Sequence, residues 1–234
     1  MLFRSKKLIY KANRIIAVSH NTKKDILTIF PDLDPEKIHV IHHGSSIKIE
    51  DNIRIDLPSN YILYVGSRAD YKNFKFSVNS INPILKENPD LMLLAAGGGE
   101  FTQEEINYIE KSHLSQQIKQ QNFEENQLGH FYKKAIFFVF PSQYEGFGIP
   151  VLESMACGCP IILSDAGSFP EIAEDAGIYF DITSDDDLRK KIRMLLNDEN
   201  LRKQFTEKGL EQVKKFDWKI AAEQCLDVYA QAVE

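Results

Sequence analysis

Short, uninterrupted apolar runs alternate with amphipathic stretches along most of this sequence, and no other feature limits the fold as strongly. Strands are expected at residues 15–18, 38–41, 61–65, 91–96, 118–121, 136–140, 160–163 and 178–180. Each run is rich in β-branched or aromatic residues and bounded by Gly, Pro, Asp or Ser. Continuous rather than alternating apolarity suits strands covered on both faces, as in a parallel sheet. Between them, Val78, Ile81, Ile84 and Leu85 share a helical face, and Pro83 is expected to kink or split that helix. Leu188, Ile192, Leu195 and Leu196 share another, opened by Ser184 as N-cap with Asp187 three residues on. A last helix from Asp217 places Trp218, Ala221, Ala222, Cys225, Val228 and Tyr229 on one side. The pattern predicts an open, doubly wound α/β sheet with right-handed crossovers. Ligands of such sheets bind beyond the carboxyl ends of the strands, so the chemistry is sought in the loops that follow them.

Composition narrows the function classes. A chain of 234 residues suits one large domain or one and a half. With 43% hydrophobic and 26% charged residues, fibrous and disordered classes are excluded. Apolar runs such as 135–140 are far too short to cross a bilayer, and Lys6, Lys7 and Lys11 interrupt every candidate core of a secretory leader. Three cysteines make no disulfide framework, which points to a reducing, cytoplasmic setting. A net charge of −6 argues against a nucleic-acid partner.

The charge is uneven. No acidic residue precedes Asp25, whereas Arg4, Lys6, Lys7, Lys11, Arg14, Lys23 and Lys24 all do. One reading is a basic patch at the surface of an anionic membrane, where each cation contributes about 1 kcal/mol. The other, which is preferred, is the solvated face of a helix that buries Leu2, Phe3, Leu8, Ile9 and Ala12. Residues 42–60 are polar and unpatterned, contain Gly44, Ser45, Ser46 and Pro58, and read as a hinge. Residues 1–37 then form a helix–strand–helix piece, with its second helix at 22–30, too small for a core of its own. Residues 38–216 form the main unit, and 217–234 a closing helix.

Three loops carry chemistry. The first, Pro141-Ser142-Gln143-Tyr144-Glu145-Gly146-Phe147-Gly148-Ile149-Pro150, joins an expected strand to a helix. Its glycines allow close backbone approach, and Pro150 suits the first helical position. Orphan N–H groups and the helix dipole converge there on an anion site. Glu153 falls in the first helical turn and Glu145 in the loop. Each has an ordinary explanation alone, as a dipole-satisfying acid and a solvated loop acid. Eight residues apart around a phosphate-type cradle, they suit carboxylates offered to sugar hydroxyls. The second loop, Gly66-Ser67-Arg68-Ala69-Asp70-Tyr71-Lys72-Asn73, supplies two cations for an anion. The third, Gly97-Gly98-Gly99, gives backbone room but lacks the G-x-G-x-x-G dinucleotide pattern. His42 and His43 are adjacent, without nearby ligands, and make a poor zinc site, so no metal centre is expected. Cys157 and Cys159 read as small packing residues, not as a redox pair.

The run PSQYEGFGIPVLESMACGCPIILSDAGSFPEI resembles the signature of the family 4 retaining glycosyltransferases of the GT-B fold, with its E-x7-E element at Glu145 and Glu153. The loops beginning at Gly66 and Gly97, and Ser19 after the first strand, match that family's layout. The resemblance implies the Rossmann-like donor half of a GT-B enzyme. Arg68 and Lys72 would bind the diphosphate of a nucleotide-sugar donor, and backbone N–H groups at Gly148 and Ile149 its distal phosphate. Glu153 would take the ribose hydroxyls and Glu145 the transferred sugar, as the catalytic contact. Asn122 and Phe123 fall where relatives hold the base, while Gly66, Gly97, Gly98 and Phe147 would line the rest of the donor pocket. No cofactor or obligatory metal is implied, the donor being a UDP- or GDP-linked sugar.

The expected reaction is retaining transfer of a sugar to a saccharide or lipid-linked acceptor, in polysaccharide or glycolipid synthesis, with a peripheral membrane contact for the latter. A complete family member has an acceptor-binding amino-terminal domain, of which only the end is expected here; that half could be a separate polypeptide. The alternative is a non-catalytic nucleotide-sugar-binding module or subunit. A glycoside hydrolase using the two glutamates is disfavoured by the phosphate-type cradle and cations between them.

Overall fold

In the computed structural model, which describes residues 2–233 and side chains from residue 6 onward, strands stand at all eight expected places. They are β1 (Ile15–Ala17), β2 (Ile38–Val40), β3 (Tyr61–Val65), β4 (Met92–Ala96), β5 (Ile118–Gln121), β6 (Phe137–Phe140), β7 (Ile161–Ser164) and β8 (Gly177–Phe180). The helices are α1 (Leu2–Lys11), α2 (His20–Ile29), α3 (Phe74–Glu87), α4 (Gln103–Lys111), α5 (Leu128–Lys134), α6 (Ile149–Ala156), α7 (Phe169–Ala173), α8 (Asp185–Asn197), α9 (Glu199–Gln212) and α10 (Trp218–Val233).

β3 shows why the main sheet forms. All five of its residues are buried, and alternate side chains enter opposite cores. Tyr61, Leu63 and Val65 pack with Phe138, Phe140 and Leu152 on one face; Ile62 and Tyr64 pack with Val78, Ile81 and Phe137 on the other. Six strands pair in parallel in the order β5-β4-β3-β6-β7-β8, with Leu63 opposite both Leu94 and Phe138. This is the doubly wound Rossmann-like arrangement, and the chain reverses its direction of winding between β3 and β6. The edge strand β5 carries Lys119, Gln120 and Gln121, polar residues that suit a strand paired on one side only.

Several expectations are corrected. α3 runs unsplit through Pro83, because burying Val78, Ile81, Ile84 and Leu85, at about 1.5–3 kcal/mol each, outweighs a proline cost of about 3 kcal/mol. β2, grouped by sequence with the main unit, pairs with β1 in a separate two-stranded parallel sheet. In α1, Leu8 is exposed, while Ile9 packs inward and Tyr10 meets Phe30 edge-on; the side chains of Leu2, Phe3 and Arg4 lie outside those described. α10 buries Ala221 and Val228, with Cys225 beside them, against Ile16 of the small sheet and Ile41 just beyond β2. Trp218, Ala222 and Tyr229 of that helix are exposed instead. Residues 42–60 hold no helix or strand, yet Ile47, Ile55 and Leu57 pack against the main core, so this segment is draped over the sheet.

Candidate active site

The loops after β3 and β6 diverge at the reversal of winding, and the main-chain and side-chain bonds between them bring two charged residues together. Gln143 N–H donates to the Tyr71 carbonyl at 2.7 Å, and the Gln143 amide to Asn73 Oδ1 at 3.0 Å. Lys72, closing a short 3-10 turn, then pairs with Glu145; their side chains are only 13% and 17% exposed. Lys72 Nζ also stands 5.0 Å from the Phe140 ring centroid.

Arg68 is not brought to that pair as a free cation. Its side chain is 4% exposed, and Nε donates to Glu105 at 2.7 Å. Its terminal nitrogens donate to the carbonyls of Gly97 at 3.0 Å, Gly99 at 3.0 Å and Glu100 at 2.8 Å. Burial works against a charged Glu105, but hydrogen bonds from Thr102 and Arg68 more than offset it and hold the carboxyl below its usual range. Gly97, Gly98 and Gly99 all have left-handed φ, from 73° to 78°, and wrap their carbonyls around the guanidinium. A Cβ on Gly98 would lie 2.5 Å from the Gly66 carbonyl oxygen, so the loop admits no side chain there. Arg68 thus shapes the loop, its donors engaged by Glu105 and the carbonyls of residues 97 to 100.

α6 opens behind Gly148, whose φ is 98°. Pro150 is its second residue, one later than expected. Among the described residues, no backbone acceptor takes the N–H of Gly148 or Ile149, and Ile149 is 38% exposed. Helix-terminal amides in this state favour an anion. Phe147 faces the other way: it is buried between His42, His43 and Phe216, with ring centroids 5.0–6.1 Å apart.

One turn into α6, Glu153 accepts from Tyr132 Oη at 3.0 Å. Burial raises its pKa despite that bond. Glu153 lines a cavity of about 610 Å³ whose other walls include Ser46, Lys48, Glu124, Glu125 and Asn126. Asn122 and Phe123 are not among those walls. Asn122 is exposed and bonded by Gln120, and Phe123 leans on Phe131 with ring centroids 5.6 Å apart. The cavity is therefore built by the residues just after the expected pair and by the draped segment, which sequence reading treated only as a hinge. Its polar composition gave no sign that it returns over the sheet.

Sequence reading also missed Glu171. Its carboxylate accepts from the N–H of His20 at 2.8 Å and of Asn21 at 3.3 Å, at the start of α2, and meets His42 Nε2 at 2.6 Å. The ligand atoms of His20, His42 and Glu171 lie within 4.8 Å of one another, a spacing compatible with a metal ion. The positive end of α2, however, already occupies the carboxylate. His43 is held below the usual histidine range by burial and by His42.

The family model described as glycosyl transferases group 1 matches residues 45–212. An uncharacterized glycosyltransferase of Methanocaldococcus jannaschii is 32% identical over 68% of this chain and 44% of its own. The O-antigen chain mannosyltransferase B of Escherichia coli is 30% identical over 72% of this chain and 45% of its own. Staphylococcus aureus TarM, solved as a mutant with Fondaparinux, alpha-GlcNAc-glycerol and UDP, superposes with a TM-score of 0.81 at 20% identity. That superposition covers 97% of this chain and 46% of TarM. The chain thus spans less than half the length of each of these proteins.

Proposed function

Since the chain belongs to the group 1 glycosyl transferases and has the architecture of the donor-binding half of the GT-B fold, we propose that its crevice binds a nucleotide-diphosphate sugar for retaining transfer. The observation that carries this reading is the meeting of Lys72 and Glu145 at the reversal of winding, next in chain to the α6 amides at Gly148 and Ile149.

In this reading, cleavage of the bond between the anomeric carbon and the phosphate oxygen leaves an oxocarbenium-like sugar and a charged diphosphate. Lys72 and the α6 amides stabilise the departing charge from fixed positions, which lowers the barrier without a metal ion. Glu145 meets the sugar on the side facing Lys72. Glu153 accepts the ribose hydroxyls, which add donors to the one that Tyr132 already gives this buried carboxylate. The base lies in the cavity beyond, between the draped segment and Glu124 to Asn126. The acceptor is a saccharide or a lipid-linked saccharide in polysaccharide or glycolipid synthesis, met at the cytoplasmic membrane face in the second case. Among the described residues no helix is long and apolar enough to cross a membrane.

The test is calorimetry with UDP, GDP and their sugar conjugates in the presence of a chelator. Binding of one nucleotide family without metal is the expected result; no binding by any of them overturns the reading. A second reading, a binding module that lacks turnover, draws on the chain's covering less than half of the M. jannaschii and E. coli relatives named above. Hydrolysis of the bound donor by this chain would decide for an enzyme.

A further inference from the structure

The loop that carries Glu145 is gripped from outside the main sheet. Ser19 is fully buried and donates from Oγ to the Gly146 carbonyl at 2.6 Å, while Thr22 Oγ1 donates to the same oxygen at 3.0 Å. The two hydroxyls also lie 3.0 Å apart, and Ser19 Oγ accepts the Thr22 N–H at 2.9 Å. Ser19 is thus both the N-cap of α2 and a donor to the loop after β6. One turn along α2, Asp25 accepts from the Tyr144 hydroxyl. The opposite flank of the loop is held as well: Ser168 Oγ donates to the carbonyls of Glu145 at 3.1 Å and Phe147 at 2.7 Å. α2 itself is tied to α7 through Glu171 at its first amides.

We propose that Ser19 and Thr22 are positioning residues for Glu145, acting through the Gly146 carbonyl, so that the segment ahead of the main sheet sets where the donor-sugar carboxylate stands. The inference rests on the donor-site reading above. The Gly146 carbonyl belongs to the Gly146–Phe147 peptide, one residue beyond Glu145, so fixing its orientation limits the backbone from which the Glu145 carboxylate projects. Two donors on one carbonyl oxygen, from the N-cap and the first turn of α2, leave that peptide one orientation. The grip does not touch Glu153 or the α6 amides, so it governs recognition of the sugar and not of the nucleotide.

The test compares the full chain with Thr22→Val, which keeps the side-chain shape and the α2 cap, with Thr22→Ser, and with the Ser19→Ala/Thr22→Val double variant. In calorimetry with UDP and UDP-glucose, or GDP and GDP-mannose, loss of one such bond should weaken the sugar nucleotide about three- to tenfold relative to the free nucleotide. Thr22→Ser should behave as the wild type. Equal weakening of both ligands, or no change in their ratio, overturns the proposal. Amide hydrogen exchange in the ligand-free protein supplies an arm independent of the donor reading. Residues 144–147 should exchange faster in Thr22→Val while the main strands do not, and unchanged exchange there overturns the grip itself. Should the wild type bind neither ligand, the donor reading fails, and the exchange arm still decides whether the hydroxyls hold the loop.

Discussion

Lys72 and Glu145 close on each other where the sheet reverses its winding, one from the loop after β3 and the other from the loop after β6. With most of both side chains out of solvent, the pair is an internal neutralisation that an entering diphosphate can take over, by offering Lys72 a second anion. Lys72→Ala should therefore weaken nucleotide diphosphate binding about tenfold or more, the loss expected for a charge-assisted contact. Glu145→Gln should leave that affinity equal or tighter, because Lys72 is then uncommitted. Titration calorimetry of both variants checks this, and unchanged affinity in Lys72→Ala would remove that residue from the site.

Arg68 is expected to act on stability rather than on affinity alone. Its ion pair with Glu105 is almost fully buried, and removing one partner of such a pair costs about 3–5 kcal/mol. For a chain of this size, that corresponds to a drop of roughly 6–20 °C in Tm for Arg68→Ala. Arg68→Met with Glu105→Leu should recover part of the loss. Thermal unfolding followed by circular dichroism distinguishes this from a purely ligand-binding role, which would leave the free protein's Tm in place.

Glu153 gives a pH signature. Its folded-state pKa lies above its ordinary value of 4.5, because burial disfavours the carboxylate. The native state therefore holds the proton more tightly, and stability is lost as pH rises through the folded pKa. Glu153→Gln should raise Tm at pH 7, and the gain should vanish below pH 4.5, where the wild-type side chain is protonated in both states. The same variant should weaken the nucleotide more than it weakens inorganic pyrophosphate, since only the former presents ribose hydroxyls. A Tm gain that persists in acid would refute the assignment.

The cysteines provide a chemical check on packing. Burial pushes the Cys157 and Cys159 thiols up to about 12, whereas Cys225 is half-buried on α10. At pH 8, iodoacetamide should alkylate Cys225 in the native protein and reach the other two only on unfolding, because the thiolate is the reactive form. Mass spectrometry of the peptides shows which were modified.

Apolar runs located the strands to within a residue or so at each end. A strand in a doubly covered sheet must be apolar on both sides, and that requirement is written locally, as in Tyr61–Val65. The helix faces were legible where the partner surface is the main sheet, as for Val78 to Leu85, and misleading for α10. There Trp218 and Tyr229 are apolar enough to suggest burial, but only a narrow stripe through Ala221 and Val228 meets the small sheet. Among the site residues, Lys72, Glu145, Gly148 and Ile149 share the loops where ligands of such sheets bind. Arg68 and Phe147 turn inward, because their partners, Glu105 and the His42–His43 segment, are distant in sequence.

The places of the strands, the loops that follow them and the glycines that shape those loops were determined by the sequence alone, since each expresses a local demand of burial or backbone conformation. Which carboxylate each of two cations met, which segment walled the 610 Å³ cavity and which hydroxyls seized the Gly146 carbonyl were decided only by the tertiary structure. Charge and hydrogen-bond partners are chosen by proximity in space, and Ser19 stands 127 positions from the carbonyl it holds. No periodicity in the chain records a meeting of that kind.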